Sequence, residues 1–372
     1  MNTKKAALAV AGAGVLAGVV GLGVLAIPAG ADEPPPVLPQ ISADQLVESV
    51  ANAKIPALAG KVSATENLGL PIKLLDGIGS ASVWSDGQNR FRATLPGKSS
   101  EKTFVEDGGT LWSWDSQKNT VTKFDHGEKA AADKVPGKDL ATIGKDVLTQ
   151  VRKYSDVKVD GTARVAKRPA YELVVTPKPT ERTLLREIRV AVDSETRLPL
   201  RLQVLANGQA DPALKVEFTE LNVGAQDAKL FQFTPPQGAT VKEATKGDHK
   251  PKDPAEARKG FQDLISSLNL KTVGDGWDTT LVAKLPGDLN SVIGKAQEHG
   301  QAQGRGPGGF GGGKGFDVTS LLKTFGKETS GPWGTGYVFS TKVATALVTT
   351  DGRVAIGAVP EQVLTEAIGQ VK

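Results

Sequence analysis

Short alternations of apolar and polar residues, each closed by a turn-forming dipeptide, most restrict the folds open to this chain. "FRATL" sets Phe91, Ala93 and Leu95 on one side of a strand and Arg92 and Thr94 on the other. The same period of two runs through "TLWSW" (Trp112, Trp114), "AYELVVTP" (Tyr171, Leu173, Val175) and "EIRVAVD" (Ile188, Val190, Val192). It continues in "LRLQV" (Leu200, Leu202, Val204) and "LKVEFTEL" (Leu214, Val216, Phe218). Successive side chains of a strand point to opposite faces, so this pattern builds an antiparallel sheet with one apolar and one wet face. Asp86-Gly87, Asp107-Gly108, Asp160-Gly161 and Asn207-Gly208 are the expected hairpin turns between segments.

Helical patterns are few. "ISADQLVESVANAK" carries Ser42 with Gln45 three residues on, a capping box, and then an apolar side of Leu46, Val47 and Val50. "KDLATIGKDVLTQVRKYSD" repeats Leu140, Ile143, Val147, Val151 and Tyr154 at helical spacing. Two helices are little cover for so much apolar sheet. In "FQFTPPQGATV", Phe231 and Phe233 share a strand face, and Pro235 and Pro236 stop further pairing, so the sheet is expected to end there. The charged, proline-bearing stretch 245–257 reads as a linker, and 258–372 as a small C-terminal α+β domain with a glycine-rich loop at 304–315. The expected strands of that domain are "GWDTTLVAKLP" and a pair made by "GYVFSTKVATALVTT" and "RVAIGAV". Expected helices are "AEARKGFQDLISSLN", "FDVTSLLKTFG" and "PEQVLTEAI", with Pro360 in the first turn of the last.

The N-terminus bears on localisation. Lys4 and Lys5 precede a run without charge from Ala6 to Ala31, and "AGAD" offers small residues for a cut after Ala31. Residues 1–31 therefore read as a signal peptide, with an uncleaved anchor over 6–28 as the alternative, and 32–41 as an extended spacer. Either way the rest of the chain is expected to be exported, into a periplasm-like space or the cell envelope.

The chain has no cysteine, which excludes disulfides and thiol chemistry. With 45 basic and 41 acidic residues, its net charge of +4 points to no nucleic-acid partner. His126, His249 and His299 each sit in polar or glycine-rich surroundings without metal-ligand spacing and read as solvated. Ser99 and Lys102 fit S-x-x-K without its companion motifs. Gly308, Gly313 and Lys314 fit a phosphate loop, but Gly315 stands where the magnesium-binding hydroxyl belongs. No catalytic constellation emerges, and the reading is a non-enzyme without metal or cofactor.

The apolar sheet face is the remaining candidate. Each buried methylene is worth ~0.8 kcal/mol, so a sixteen-carbon chain laid on it would gain on the order of 10 kcal/mol before entropic costs. The candidate ligand-cavity residues are Phe91, Leu95, Trp112, Trp114, Leu173, Val175, Ile188, Val190, Leu202, Val204 and Phe218.

"DGGTLWSWD" followed far downstream by "FQFTPPQGATV", with "GSASVW", "NRFRATLP", "AYELVVTPK" and "VDSETRLPLRLQV" in order between and around them, resembles the LolA-type lipoprotein carriers over roughly 42–245. The resemblance implies an unclosed antiparallel half-barrel with covering helices over an apolar cavity, and a lipid or acylated lipoprotein as ligand. It places Trp112 and Trp114, and Phe231, Phe233, Pro235 and Pro236, on family motif positions. The C-terminal part, from "GDGWDTTLVAKLP" to "GAVPEQVLTEAIGQV", resembles more weakly the RseB/MucB sigma-factor regulators. That implies an envelope sensor whose residues 258–372 engage a membrane protein partner, an anti-sigma factor. The chain thus reads as α+β, with a half-barrel domain over 42–244 and a smaller domain after the linker.

Overall fold

The computed structural model describes residues 34–69, 80–97, 99–127, 148–243, 270–284 and 326–370. The N-terminal segment, the linker, the glycine-rich loop, the helix expected over 255–269 and all but the last residue of that expected over 316–326 lie outside the described residues. The chain divides into two compact units: the smaller holds Pro179–Leu185 together with the C-terminal part, and the larger holds the rest.

The larger unit opens on α1 (Ala43–Ala51), where Ser42 accepts from the Gln45 N–H and the Gln45 side chain accepts from the Ser42 N–H. This is the expected capping box, satisfying two otherwise orphaned donors. Eleven strands follow: β1 (Ala57–Glu66), β2 (Ala81–Asp86), β3 (Phe91–Pro96), β4 (Glu101–Glu106), β5 (Thr110–Asp115), β6 (Thr120–Asp125), β7 (Ser155–Val165), β8 (Arg168–Pro177), β9 (Leu185–Asp193), β10 (Pro199–Ala206) and β11 (Leu214–Val223). Within the second expected helix, residues 148–154 are helical and the preceding residues lie outside the described set.

The strand order is β12-β6-β5-β4-β3-β2-β1-β11-β10-β9-β8-β7, an open sheet that closes on neither edge. β12 (Thr240–Glu243) pairs parallel with β6, while β1 to β6 pair antiparallel in succession, as do β1 with β11, β11 with β10, β9 with β8 and β8 with β7. Two expectations change here. Asp160-Gly161 does not turn the chain: it lies inside β7 where the register shifts, and Gly161 takes a φ of 93°. An extra residue in an edge strand bends it and spoils it as a template for further pairing. Phe231 is not in a strand either. It ends a short 3-10 helix, Ala228–Phe231, and the chain goes on past the prolines to add β12.

The smaller unit is a six-stranded antiparallel sheet ordered β13-β14-β18-β17-β16-β15. Its strands are β13 (Lys271–Val273), β14 (Thr280–Lys284), β15 (Lys327–Gly331), β16 (Gly334–Ser340), β17 (Thr345–Thr349) and β18 (Arg353–Gly357). The stretch "GYVFSTKVATALVTT", expected as one strand of a pair, is itself the β16–β17 hairpin. α2 (Glu361–Gly369), with Pro360 at its N-cap, lays Val363, Leu364, Ala367 and Ile368 on Val282, Val338, Leu347 and Ala355. Pro179–Leu185 is stitched into this unit: Thr183 Oγ1 (2.6 Å) and the Leu184 N–H (2.9 Å) both donate to the Ala358 carbonyl.

Candidate functional site: the two faces of the large sheet

Cα partners in an antiparallel ladder carry side chains on the same face, so register assigns each candidate residue to a side. One transverse row runs Val223, Leu58, Ser85, Phe91, Glu106, Leu111, Phe124 across seven strands. The next runs Leu221, Gly60, Val83, Ala93, Phe104, Ser113, Thr122. Leu95 follows Ala93 on the same side of β3, and Phe218 faces Val62. On the other half of the sheet, Leu173 faces Val190, Val175 faces Ile188, Leu202 faces Val216 and Val204 faces Leu214. α1 lies on this side, where Leu46 forms a buried cluster with Tyr171, Val190, Val192 and Leu202. We call it the helix face.

Trp112 and Trp114 are not on it. They pair with Val105 and Thr103, alternate with Ser113, and so lie on the reverse face. This corrects the expectation that they share a cavity with Phe91, Leu95 and Leu173. Parity along β5 fixes the result: Leu111 and Ser113 take the helix face, and the tryptophans the other. What Trp112 meets there is the "FQFTPP" segment. Phe233 packs on Trp112 with ring centroids 5.5 Å apart, and Phe231 is buried at 1% exposure beneath the Arg90 guanidinium. Arg92 Nη1 donates to the Leu230 carbonyl (3.4 Å). The two motifs therefore form a strap across the reverse face of β3–β6.

The reverse face of β8–β11 carries an ionic group beside the buried Ala170, Val174 and Ala191. Glu172 accepts from Arg201 (2.5 Å) and Arg189 (3.5 Å), Arg189 also reaches Glu187 (2.9 Å), and Lys215 reaches Glu217 (2.6 Å). The Glu187 hydrogen bond raises Arg189 above its ordinary range, outweighing burial. An apolar ligand laid on that ionic group would desolvate paired charges at several kcal/mol each.

The helix face divides by what covers it. Over β8–β10, α1 and the segment before it pack down: Leu38, Ile41 and Val50 join the Leu46 cluster. Thr162 Oγ1 donates to the Pro36 carbonyl (2.7 Å) and the Tyr171 hydroxyl to the Pro39 carbonyl (3.0 Å). The stretch expected as a spacer is thus tied down, and Val190 (8%) and Leu202 (5%) are core beneath it. Over β1–β6, Leu58, Val62, Val83 and Ala93 are buried in one cluster with Val165, Ala170 and Ala191, and exposure remains at Phe91 (41%) and Val223 (40%).

Two ionic groups border this face. At the β9–β10 turn the fully buried Asp193 carboxylate accepts from Arg168 Nε (2.7 Å) and Nη2 (2.9 Å), and from the Thr196 N–H and hydroxyl (2.7 Å each). Burial alone would raise its pKa, but those bonds hold the carboxyl below its ordinary range. Near the β4–β5 turn His126 Nε2 donates to Glu106 Oε2 (2.9 Å), and the imidazole is 18% exposed. His126 is therefore a paired, half-buried group rather than the solvated one expected. Burial lowers its pKa, and the Glu106 hydrogen bond and charge more than reverse this, so the net shift is upward. Neither the Glu106 partnership nor the Asp193 cage has a local sequence signal beyond the turn residues. No group of three His, Asp or Glu placed to hold a metal occurs among the described residues. His249 and His299 lie outside them.

Residues 100–244 match the family model described as the MucB/RseB N-terminal domain. The sigma factor AlgU regulatory protein MucB of Pseudomonas aeruginosa is 33% identical over 98 residues, covering 26% of this chain and 30% of that protein. The match thus spans under a third of the curated relative's length. Among solved structures, the MucA/MucB complex of Pseudomonas aeruginosa aligns over 88% of this chain and 96% of that one, at 17% identity and a TM-score of 0.40. A LolA superfamily protein from Nitrosomonas europaea aligns over 52% of this chain and 99% of that one, at 10% identity and a TM-score of 0.21.

Proposed function

We propose that this chain is an exported, non-catalytic binding protein that holds the acyl chains of a lipid or lipoprotein on the helix face of its large sheet. The observation that carries this reading is the largely apolar helix face of β1–β6, interrupted by Ser85 and the His126-paired Glu106 and exposed at Phe91 and Val223, on a sheet whose other face is strapped over β3–β6 and bears an ionic group over β8–β11. The 100–244 match to a MucB/RseB-type domain supports an envelope setting. Mass spectrometry of organic extracts from the purified chain, made in an exporting host, tests it. A stoichiometric acylated species is expected; folded protein that comes out empty overturns the reading.

A second reading is favoured by the smaller unit, which has a buried core of its own, and by the MucB similarity. In it, ligand on the large sheet changes capture of a membrane protein partner by the C-terminal part. Cross-linking of the full chain to membranes, with the links mapped by mass spectrometry, decides this. Links from 270–370 to a membrane protein support the regulator; their absence removes it.

A further inference from the structure

The β9–β10 turn holds a cation that no carboxylate answers. Arg197 Nη1 is buried and has no hydrogen-bond partner, and no ion pair reaches the guanidinium among the described residues. The neighbouring acids are taken: Asp193 by Arg168 and Thr196, Glu195 by Arg168 at 2.7 Å. The guanidinium instead lies over the Tyr171 ring, 5.4 Å from its centroid. Tyr171 is on the helix face, opposite Val192, and its hydroxyl is fixed by the Pro39 carbonyl.

The backbone sharpens the point. Arg197 has a φ of 62°, in the left-handed region that glycine enters freely and a long side chain only at a cost. Its N–H closes the turn on the Asp193 carbonyl (3.2 Å), a bond that glycine would make equally well. A strained arginine with an unanswered donor, braced by an aromatic ring at the end of an apolar face, suits an anion.

We propose that Arg197 binds the anionic head group, carboxylate or phosphate, of the acyl ligand. This rests on the reading of the helix face as an acyl-binding surface. Tyr171 holds the guanidinium by cation–π attraction, and Nη1, buried and without a partner, is the donor that a carboxylate or phosphate oxygen would accept from. A hydrogen bond between charged groups at a half-buried position is worth about tenfold or more in affinity.

The test is a fluorescence titration of the full chain and of Arg197→Gly with cis-parinaric acid and with its uncharged methyl ester. Glycine suits the turn, so the variant should fold with a thermal midpoint at or above that of the parent chain. The parent chain should bind the acid at least about tenfold tighter than the ester. Arg197→Gly should bind the ester unchanged and lose the preference for the acid. If the parent chain binds both equally, or the variant keeps the preference, the assignment of Arg197 is overturned while the acyl-binding surface stands. If neither probe binds, the acyl-binding reading itself falls and the assignment with it.

Discussion

Replacing Asp193 with asparagine tests whether the β9–β10 turn is held by charge. The carboxylate accepts four hydrogen bonds, two from Arg168 and two from Thr196. An amide of the same shape keeps one oxygen acceptor and turns an NH2 group toward the remaining donors. Breaking a buried pair by removing one partner costs about 3–5 kcal/mol. Arg168 keeps Glu195, whose side chain is largely exposed, so the lower end applies and Asp193→Asn should cost ~3 kcal/mol at pH 7. The pH dependence has a definite sign. The folded pKa of Asp193 is depressed, so its stabilisation is complete above the ordinary value of 3.8 and disappears as pH falls through the folded value. The difference between the two proteins should therefore be full at pH 7 and shrink toward zero in strong acid. Hydrogen exchange resolved to β8 and β9 reads the large unit separately from the small one. A loss below about 1 kcal/mol at pH 7, or a gap that stays constant into acid, would refute the charged-cage account.

Three further outcomes follow from the faces of the sheet. Phe231→Ala removes a ring with 1% exposure from beneath Arg90 and should cost about 3–5 kcal/mol, with β12 losing exchange protection first; an unprotected β12 in the parent chain would show that the strap does not hold it. His126 has a raised folded pKa, so its contribution is fully present below the ordinary 6.5 and is lost as pH rises through the folded value. Amides at 107–109 and 126–127 should thus lose protection on the alkaline side, and Glu106→Gln should flatten that dependence; an unchanged profile in the variant sinks the pairing. Finally, Phe91→Asp should leave the chain folded and weaken acyl-probe binding, because Phe91 is 41% exposed, whereas Val190→Asp should unfold the large sheet by burying an unpaired carboxylate under Leu46. Normal binding by folded Phe91→Asp would remove β3 from the ligand surface.

What the sequence could and could not convey depends on the range of the interaction. The Ser42–Gln45 box is a three-residue relation and was readable as such, as were the apolar alternation of β3, β8, β9, β10 and β11 and the turns at Asp86, Asp107 and Asn207. Alternation says that two sets of side chains part company, but not which set joins which on a neighbouring strand. β5 is the case in point: Trp112 and Trp114 are the large apolar pair, yet parity with β4 puts Leu111 and Ser113 on the helix face. On that side Trp112 is met by Phe233, over a hundred residues downstream. A strand-like "FQF" was therefore a strap, and Asp160-Gly161 a bulge, for the same reason: partners distant in sequence set the conformation. Arg197 lies furthest from view, since a left-handed backbone at a non-glycine residue leaves no mark in composition or period. The residues that make the large sheet fold announce themselves by pattern. The one proposed to choose its ligand breaks a local preference, and such breaks are where a fold has given up stability for something else.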